Sequence, residues 1–322
     1  MDPRAFCSSS DVVIVAGKGG VGKTTVAAAL ALSAARAGVD TLLVDIEATG
    51  ALPALFGRTE PLGYRPVTLA EPAGGATVRG RSLTPDDALL EYLEDHGLRR
   101  VSRRMLATGT LDLVATAIPG IRDILILGKV RQLEQSGDSG LIIVDAPAAG
   151  HAVAFLASAR GLLDAIPVGP IRTQSAQVDA MLTDPTRCQV LLVTLPEETP
   201  VNEAVETAFH LEDRAGIKLG PIVANGVFPQ LDLPEDVPAA AAAGGAHLDG
   251  AELEHLAAAA TFRLRRQDLQ RRQLTRLSER LPLPQLVLPY LWTTDLGPSD
   301  VGQLAEVLSE RIVGLDTQRT RR

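Results

Sequence analysis

Gly17-Lys18-Gly19-Gly20-Val21-Gly22-Lys23-Thr24 satisfies the pattern G-x-x-x-x-G-K-[ST], between an apolar run (Val12–Ala16) and an Ala/Leu-rich stretch (Thr24–Ala37). A strand–glycine loop–helix context is what this pattern needs in order to bind phosphate. The glycines turn backbone N–H groups inward around phosphate oxygens, and the helix N-terminus adds its positive end. The spacing assigns Lys23 to the β- and γ-phosphates, the Thr24 hydroxyl to Mg²⁺ and Thr25 to the α-phosphate. The chain has only four lysines (18, 23, 129 and 218), and two of them stand in this loop. Where positive charge is otherwise written as arginine, that pair reads as a demand for compact ammonium groups. Asp145 closes the apolar run Leu141–Asp145, and Asp45 closes Thr41–Asp45. A carboxylate at a strand's carboxyl end is where a Mg²⁺ water shell can be held. Asn225, after Val223-Ala224, offers a donor and an acceptor to a base edge. The expected ligands are ATP and Mg²⁺.

The elements that must position these groups follow from patterning. Val12–Ala16, Thr41–Asp45, Leu141–Asp145, Gln189–Leu195, Pro221–Ala224 and Gln285–Leu288 are continuous apolar runs alternating with helical stretches. That pattern predicts a mostly parallel sheet buried on both faces, an α/β P-loop NTPase. Residues 1–10 read as a flexible N-terminus, 11–315 as one domain and 316–322 as a basic tail. Regions of about 60–135 and 229–283 exceed what simple crossovers need and read as an accessory helical layer. Within them 85–106 and 120–135 are expected as helices, Pro238–Ala246 as a mobile loop and the Arg-rich stretch after it as a helix. Val301, Leu304, Leu308, Ile312 and Leu315 mark a closing amphipathic helix.

Lys18, at the second position of the loop, resembles the signature of the deviant Walker A ATPases, the class of MinD, ParA, the nitrogenase iron protein and ArsA. The resemblance implies that Lys18 crosses a dimer interface to the partner's nucleotide, in the manner of an arginine finger. Asp145 followed by Ala-Pro-Ala-Ala-Gly-His is similar to the switch II segment of the ArsA and tail-anchored-protein-targeting ATPases. Ala117–Ile121, Thr194–Pro200 with Glu203, Val223-Ala224-Asn225 and Leu288-Pro289-Tyr290 resemble further segments of that family, so the likeness runs from about 11 to 315. It is closest to the bacterial anion-transporting-ATPase-like branch. The resemblance implies that Asn225 and Pro289 meet adenine and that Gly150 and His151 belong to a moving switch. Read without the family, His151 is a loop-bonding structural histidine or a chemical group. The family's water-orienting aspartate falls here on Glu47, one methylene longer, followed by Ala48 where proline is usual. Such a shift can cost about 100-fold in rate, so slow hydrolysis with Glu47 as the water-positioning group is expected.

The function implied is a dimeric, Mg²⁺-dependent ATPase acting on a protein client or membrane-associated partner. The alternatives are a weakly catalytic subunit of a heterodimer with a paralogue, or a MinD/ParA-type positioning ATPase. Aromatic residues are 3% of the chain and the net charge is −8, so no nucleic-acid partner is expected. Cys7 and Cys188 form no metal or disulfide framework, which argues against a zinc site or arsenite activation. No run is long enough to span a bilayer, and a cytoplasmic location is expected. Seven arginines in Arg263–Arg280 read as a solvated face, with an acidic partner or anionic lipid surface as the sharper reading.

Overall fold

The computed structural model describes residues 1–47, 50–74, 76–95 and 120–315. Six apolar runs form parallel strands: β1 (Val12–Gly17), β2 (Thr41–Asp45), β5 (Leu141–Ala148), β6 (Cys188–Thr194), β7 (Ile222–Val227) and β8 (Gln285–Pro289). The sheet has eight strands in the order β3-β4-β2-β5-β1-β6-β7-β8. Its two additional strands are β3 (Val67–Ala70) and β4 (Val78–Ser82). They lie at the start of the 60–135 region expected as an accessory helical layer, where no strand is expected; β4 extends the parallel set beside β2, and β3 turns back antiparallel at the edge.

Alternation along β1 shows why both faces are apolar. Val12, Ile14 and Ala16 enter one core, and Val13 and Val15 the other, all of them buried. The second core is closed by α2 (Lys23–Arg36) and α11 (Pro298–Val313). Its alanines let α2 approach the sheet closely, and the five apolar positions of the closing helix pattern are all buried, as their spacing requires. Ser33 and Ser309 share a 2.8 Å hydrogen bond, and Arg36 donates to the Gly302 carbonyl at 2.9 Å, pinning the two helices together.

The first core is covered by α5 (Ile121–Ser136), α6 (Ala149–Ala165), α7 (Pro170–Thr183) and α8 (Glu198–Ala215). With α3 (Ala51–Leu55) leading toward β3, α4 (Pro85–Asp95) packs on α5. The expected helix over 85–106 is seen to Asp95; its remainder, like the basic tail, lies outside the described residues. Beneath α4, Glu91 accepts from Lys129 at 2.6 Å and from the Tyr64 hydroxyl, while the buried Arg81 guanidinium lies 4.3 Å above the Tyr64 ring. A cavity of about 490 Å³ opens between α4, α5 and α7.

Two expectations are corrected. The N-terminus forms a short helix, α1 (Pro3–Cys7), capped by Asp2, whose carboxylate accepts from the Ala5 N–H at 3.2 Å. Phe6 and Cys7 are buried against α2 and the closing helix. The alanine stretch expected as a mobile loop forms α9 (Val237–Ala243), because Asp236 caps it and Pro238 fits its first turn. The long helix that follows, α10 (Gly250–Arg280), begins with a capping box between Asp249 and Glu252. Burial of Phe6 gives a direct check. Phe6→Ala should cost about 3 kcal/mol and lower the thermal midpoint by several degrees, whereas a solvated tail would leave it unchanged.

Candidate nucleotide site

The glycine loop with Lys23 and Thr24, Asp45 and Asp145 lie at the carboxyl ends of β1, β2 and β5. β1 lies between β5 and β6, so the loop leaving it opens over the middle of the sheet. Gly22 caps α2 with φ +88° and no side-chain hydrogen bond, leaving the first helical N–H groups to an external acceptor. A Cβ there would run into the Asn225 amide, and one at Gly17 into the Val193 carbonyl. Glycine is therefore fixed both by the left-handed backbone and by close approach.

Lys23 is buried, with its Nζ 3.4 Å from the Lys18 carbonyl oxygen. Thr24 Oγ1 donates to Asp145 Oδ2 at 2.6 Å. Asp45 pairs in register with Asp145 on the adjacent strand, and both are buried. Asp145 Oδ1 is buried without a hydrogen-bond partner. Burial pushes the Asp145 carboxyl up to about 6; the Thr24 hydrogen bond opposes the rise, Asp45 adds to it, Lys23 opposes it and Glu47 adds to it. An orphaned carboxylate oxygen beside a hydroxyl and a second carboxylate is a hard-oxygen set that suits Mg²⁺. Among the described residues no group of three His, Cys, Asp or Glu could hold a metal alone. Phosphate and water would have to complete the shell, as is usual for Mg²⁺.

A separate cavity of about 320 Å³ is lined by Gly20, Val21 and Gly22 from the loop, by Thr25 of α2, by Asn225, and by Pro289 and Tyr290. Asn225 Nδ2 donates to the Val21 carbonyl at 2.9 Å, so this asparagine also fixes the phosphate loop. Sequence reasoning missed Leu195, Thr293, Thr294 and Leu296 in the same lining. Leu195 stands in the Thr194–Pro200 segment already singled out, whereas Thr293, Thr294 and Leu296 belong to a loop with no motif of its own, and only the fold brings them together.

Three expected residues stand apart from the buried centre. Lys18 is half-exposed and paired with Glu203 on α8; the other Glu203 oxygen is buried without a partner. Glu47 is exposed two residues beyond β2. His151, in the first turn of α6 beside Gly150, is exposed and near enough to Asp123 of α5 to oppose the rise that burial imposes on that carboxyl.

The family model for anion-transporting ATPases matches residues 10–165, from before β1 to the end of α6. The ATPase BagA of Mycobacterium tuberculosis is 34% identical over 237 residues, 71% of this chain and 68% of that protein. The chain belongs to the anion-transporting (ArsA) ATPase family. A putative arsenical pump-driving ATPase of Halobacterium salinarum is 25% identical over 317 residues, 93% of this chain and 44% of that one. The ATPase get3 of Schizosaccharomyces japonicus is 28% identical over 144 residues, 45% of this chain and 42% of its own length. The range of the family model takes in the phosphate loop with β1, β2 and β5. Among the described residues no helix is long and apolar enough to cross a membrane.

The raised Asp145 carboxyl generates a pH prediction for the protein free of nucleotide and Mg²⁺. Below about pH 4 the group is neutral in both folded and unfolded chains, and its neutral form stabilises the fold. As pH rises the unfolded chain ionises first, and that stabilisation is lost by the time the folded carboxyl ionises near 6. Asp145→Asn should therefore be more stable than wild type at pH 7.5, by roughly 2–3 kcal/mol, and indistinguishable from it near pH 4. Thermal melts across that range check it; a pH-independent difference would contradict the assignment.

Proposed function

We propose that this ArsA-family chain is a Mg²⁺-dependent ATPase whose working unit is a dimer closed around two ATP molecules. The carrying observation is the Thr24–Asp145 pair with its orphaned Oδ1, set beneath the uncapped N-terminus of α2. In this reading the loop N–H groups and Lys23 cradle the β- and γ-phosphates, while Thr24 and Asp145, with Asp45 behind them, hold Mg²⁺. When bound, the metal neutralises charge that develops on the phosphate oxygens. Glu47 orients the water whose oxygen bonds to the γ-phosphorus as the bond to the β–γ bridging oxygen breaks, releasing ADP and phosphate. Lys18 serves the partner's nucleotide, and to do so it must leave Glu203. The accessory helices pass closure and reopening to a protein client or membrane-associated partner in the cytoplasm.

The longer, exposed Glu47 supports slow turnover, and with it a second reading: a nucleotide-binding subunit whose paralogue does most of the hydrolysis. Turnover and oligomeric mass in Mg-ATP separate the two. Under the leading reading wild type hydrolyses ATP and dimerises with it. Glu47→Gln should then lose at least tenfold in turnover while still dimerising, and Lys18→Ala should lose both. Tight ATP binding with neither turnover nor dimerisation would favour the heterodimer. Glu203→Gln, which frees Lys18, should lower the ATP concentration needed for dimerisation about two- to fivefold, the scale of a partly exposed ion pair.

A further inference from the structure

The Arg-rich helix α10 is tied to the base cavity by contacts that a solvated face would not make. Gln270 is buried; its Oε1 accepts from the Phe228 N–H at 2.8 Å and its Nε2 donates to the Gly226 carbonyl at 3.1 Å. Both backbone groups belong to the stretch just after Asn225. Two turns earlier, Arg263 donates to the Pro229 carbonyl at 2.7 Å. Its guanidinium lies 4.6 Å from the Phe228 ring centroid and 5.3 Å from that of Trp292. Phe228, Tyr290 and Trp292 form a triangle with centroids 4.9 to 5.1 Å apart. Tyr290 is at once a member of this triangle and a wall of the cavity. The cluster joins the ends of the two segments that carry Asn225 and Pro289, which pair directly as β7 and β8, and α10 packs over both.

We propose that Arg263 and Gln270 are positioning residues for base recognition, and that α10 is thereby the accessory element that senses whether a base is bound. The inference rests on reading the 320 Å³ cavity as the adenine subsite of the proposed ATPase. The phosphates meet the loop between β1 and α2, which Arg263 and Gln270 do not touch, so their influence falls first on the base end and reaches the loop only through Asn225. A half-exposed guanidinium over two rings, with one backbone acceptor, carries about tenfold in an equilibrium. Trp292 is the chain's single tryptophan and is 70% exposed, so its emission reports this cluster alone.

The test compares binding of Mg-ATP with Mg-tripolyphosphate, which has the phosphates and no base, by calorimetry and by Trp292 fluorescence. Wild type should bind ATP more tightly than tripolyphosphate, and only ATP should shift the emission. Arg263→Ala should weaken ATP about tenfold, change tripolyphosphate less than twofold and abolish the emission response. Arg263→Lys, which keeps a cation over the rings, should fall between. Arg263 is only half-buried, so thermal melts of the variants should stay close to wild type. Equal losses for both ligands, or no loss for either, would overturn the inference and leave the ATPase reading standing. A wild type that binds tripolyphosphate as well as ATP would overturn it through the cavity, with the phosphate loop intact. A wild type that binds neither would remove the ATPase reading and this inference together.

Discussion

The demand that shapes this molecule is a buried carboxylate kept short of partners at the centre of a sheet. Asp145 is held between β2 and β1, in register with a second aspartate, and has one hydroxyl donor for two oxygens. Two like charges on neighbouring strands at low dielectric are costly without a cation. Most of the surrounding design makes that cost bearable in the free protein: Thr24 caps one oxygen, Lys23 lies within electrostatic reach, and the carboxyl's proton affinity rises. A fully satisfied Asp145 would be more stable and would have nothing left for a metal. The same logic covers the uncapped start of α2, whose N–H groups are left for phosphate. Polar groups are under-satisfied here on purpose, and the two apolar cores on either face of the sheet supply the stability that permits it.

The accessory helices are joined to that centre by polar contacts, with apolar packing elsewhere in support. α8 is the pivot. Its N-cap residue Glu197 pairs with Arg266 of α10, Asn202 accepts from Arg276 at 2.6 Å, and Glu203 holds Lys18. α10 in turn carries buried glutamines at 267, 270 and 273. Gln270 grips the Gly226 and Phe228 backbone and Gln267 reaches the Leu231 carbonyl at 3.4 Å, in a way that leucines could not, while Gln273 Oε1 is buried without a partner. Such contacts are directional, so a change of a few tenths of an ångström at the cavity wall breaks or makes them, while an apolar contact would merely slide.

How legible all this was depends on whether the physics is local. The phosphate loop, the strand-end aspartates and the six central strands could be read because each is a short pattern with its own chemistry. Asn225 was read from its donor and acceptor at a strand end as well as from resemblance to a family, Pro289 from the resemblance alone, and both stand in the lining of the cavity. β3 and β4 were hidden because Val78-Arg79-Gly80-Arg81-Ser82 carries two arginines, one of them buried against Tyr64 rather than facing water. α9 was hidden because an alanine-glycine stretch has no amphipathic period, and its cap, Asp236, is informative only once the helix is known. The Arg-rich stretch misled in a third way. Arg263, Arg266 and Arg276 are intramolecular clamps, whereas Arg271 and Arg272 share Asp268 on an exposed face. Composition reports charge, and cannot say which arginines have found a ring or a carboxylate.

In the proposed dimer, the Lys18–Glu203 pair bears on how a lysine would serve another subunit without disturbing its own. Lys18 stands on the same loop whose N–H groups face phosphate in cis, and an unrestrained ammonium there would be drawn to the nearest phosphate. Glu203 gives it a nearer anion on α8, beyond the loop, and the half-exposed geometry keeps that bond weak enough to be exchanged. A deeply buried pair would hold Lys18 permanently, because breaking it would strand a charge. A fully solvated lysine would lack direction. The intermediate exposure, with one Glu203 oxygen left buried and unpartnered, is the arrangement expected of a contact that is meant to be broken when a stronger anion arrives.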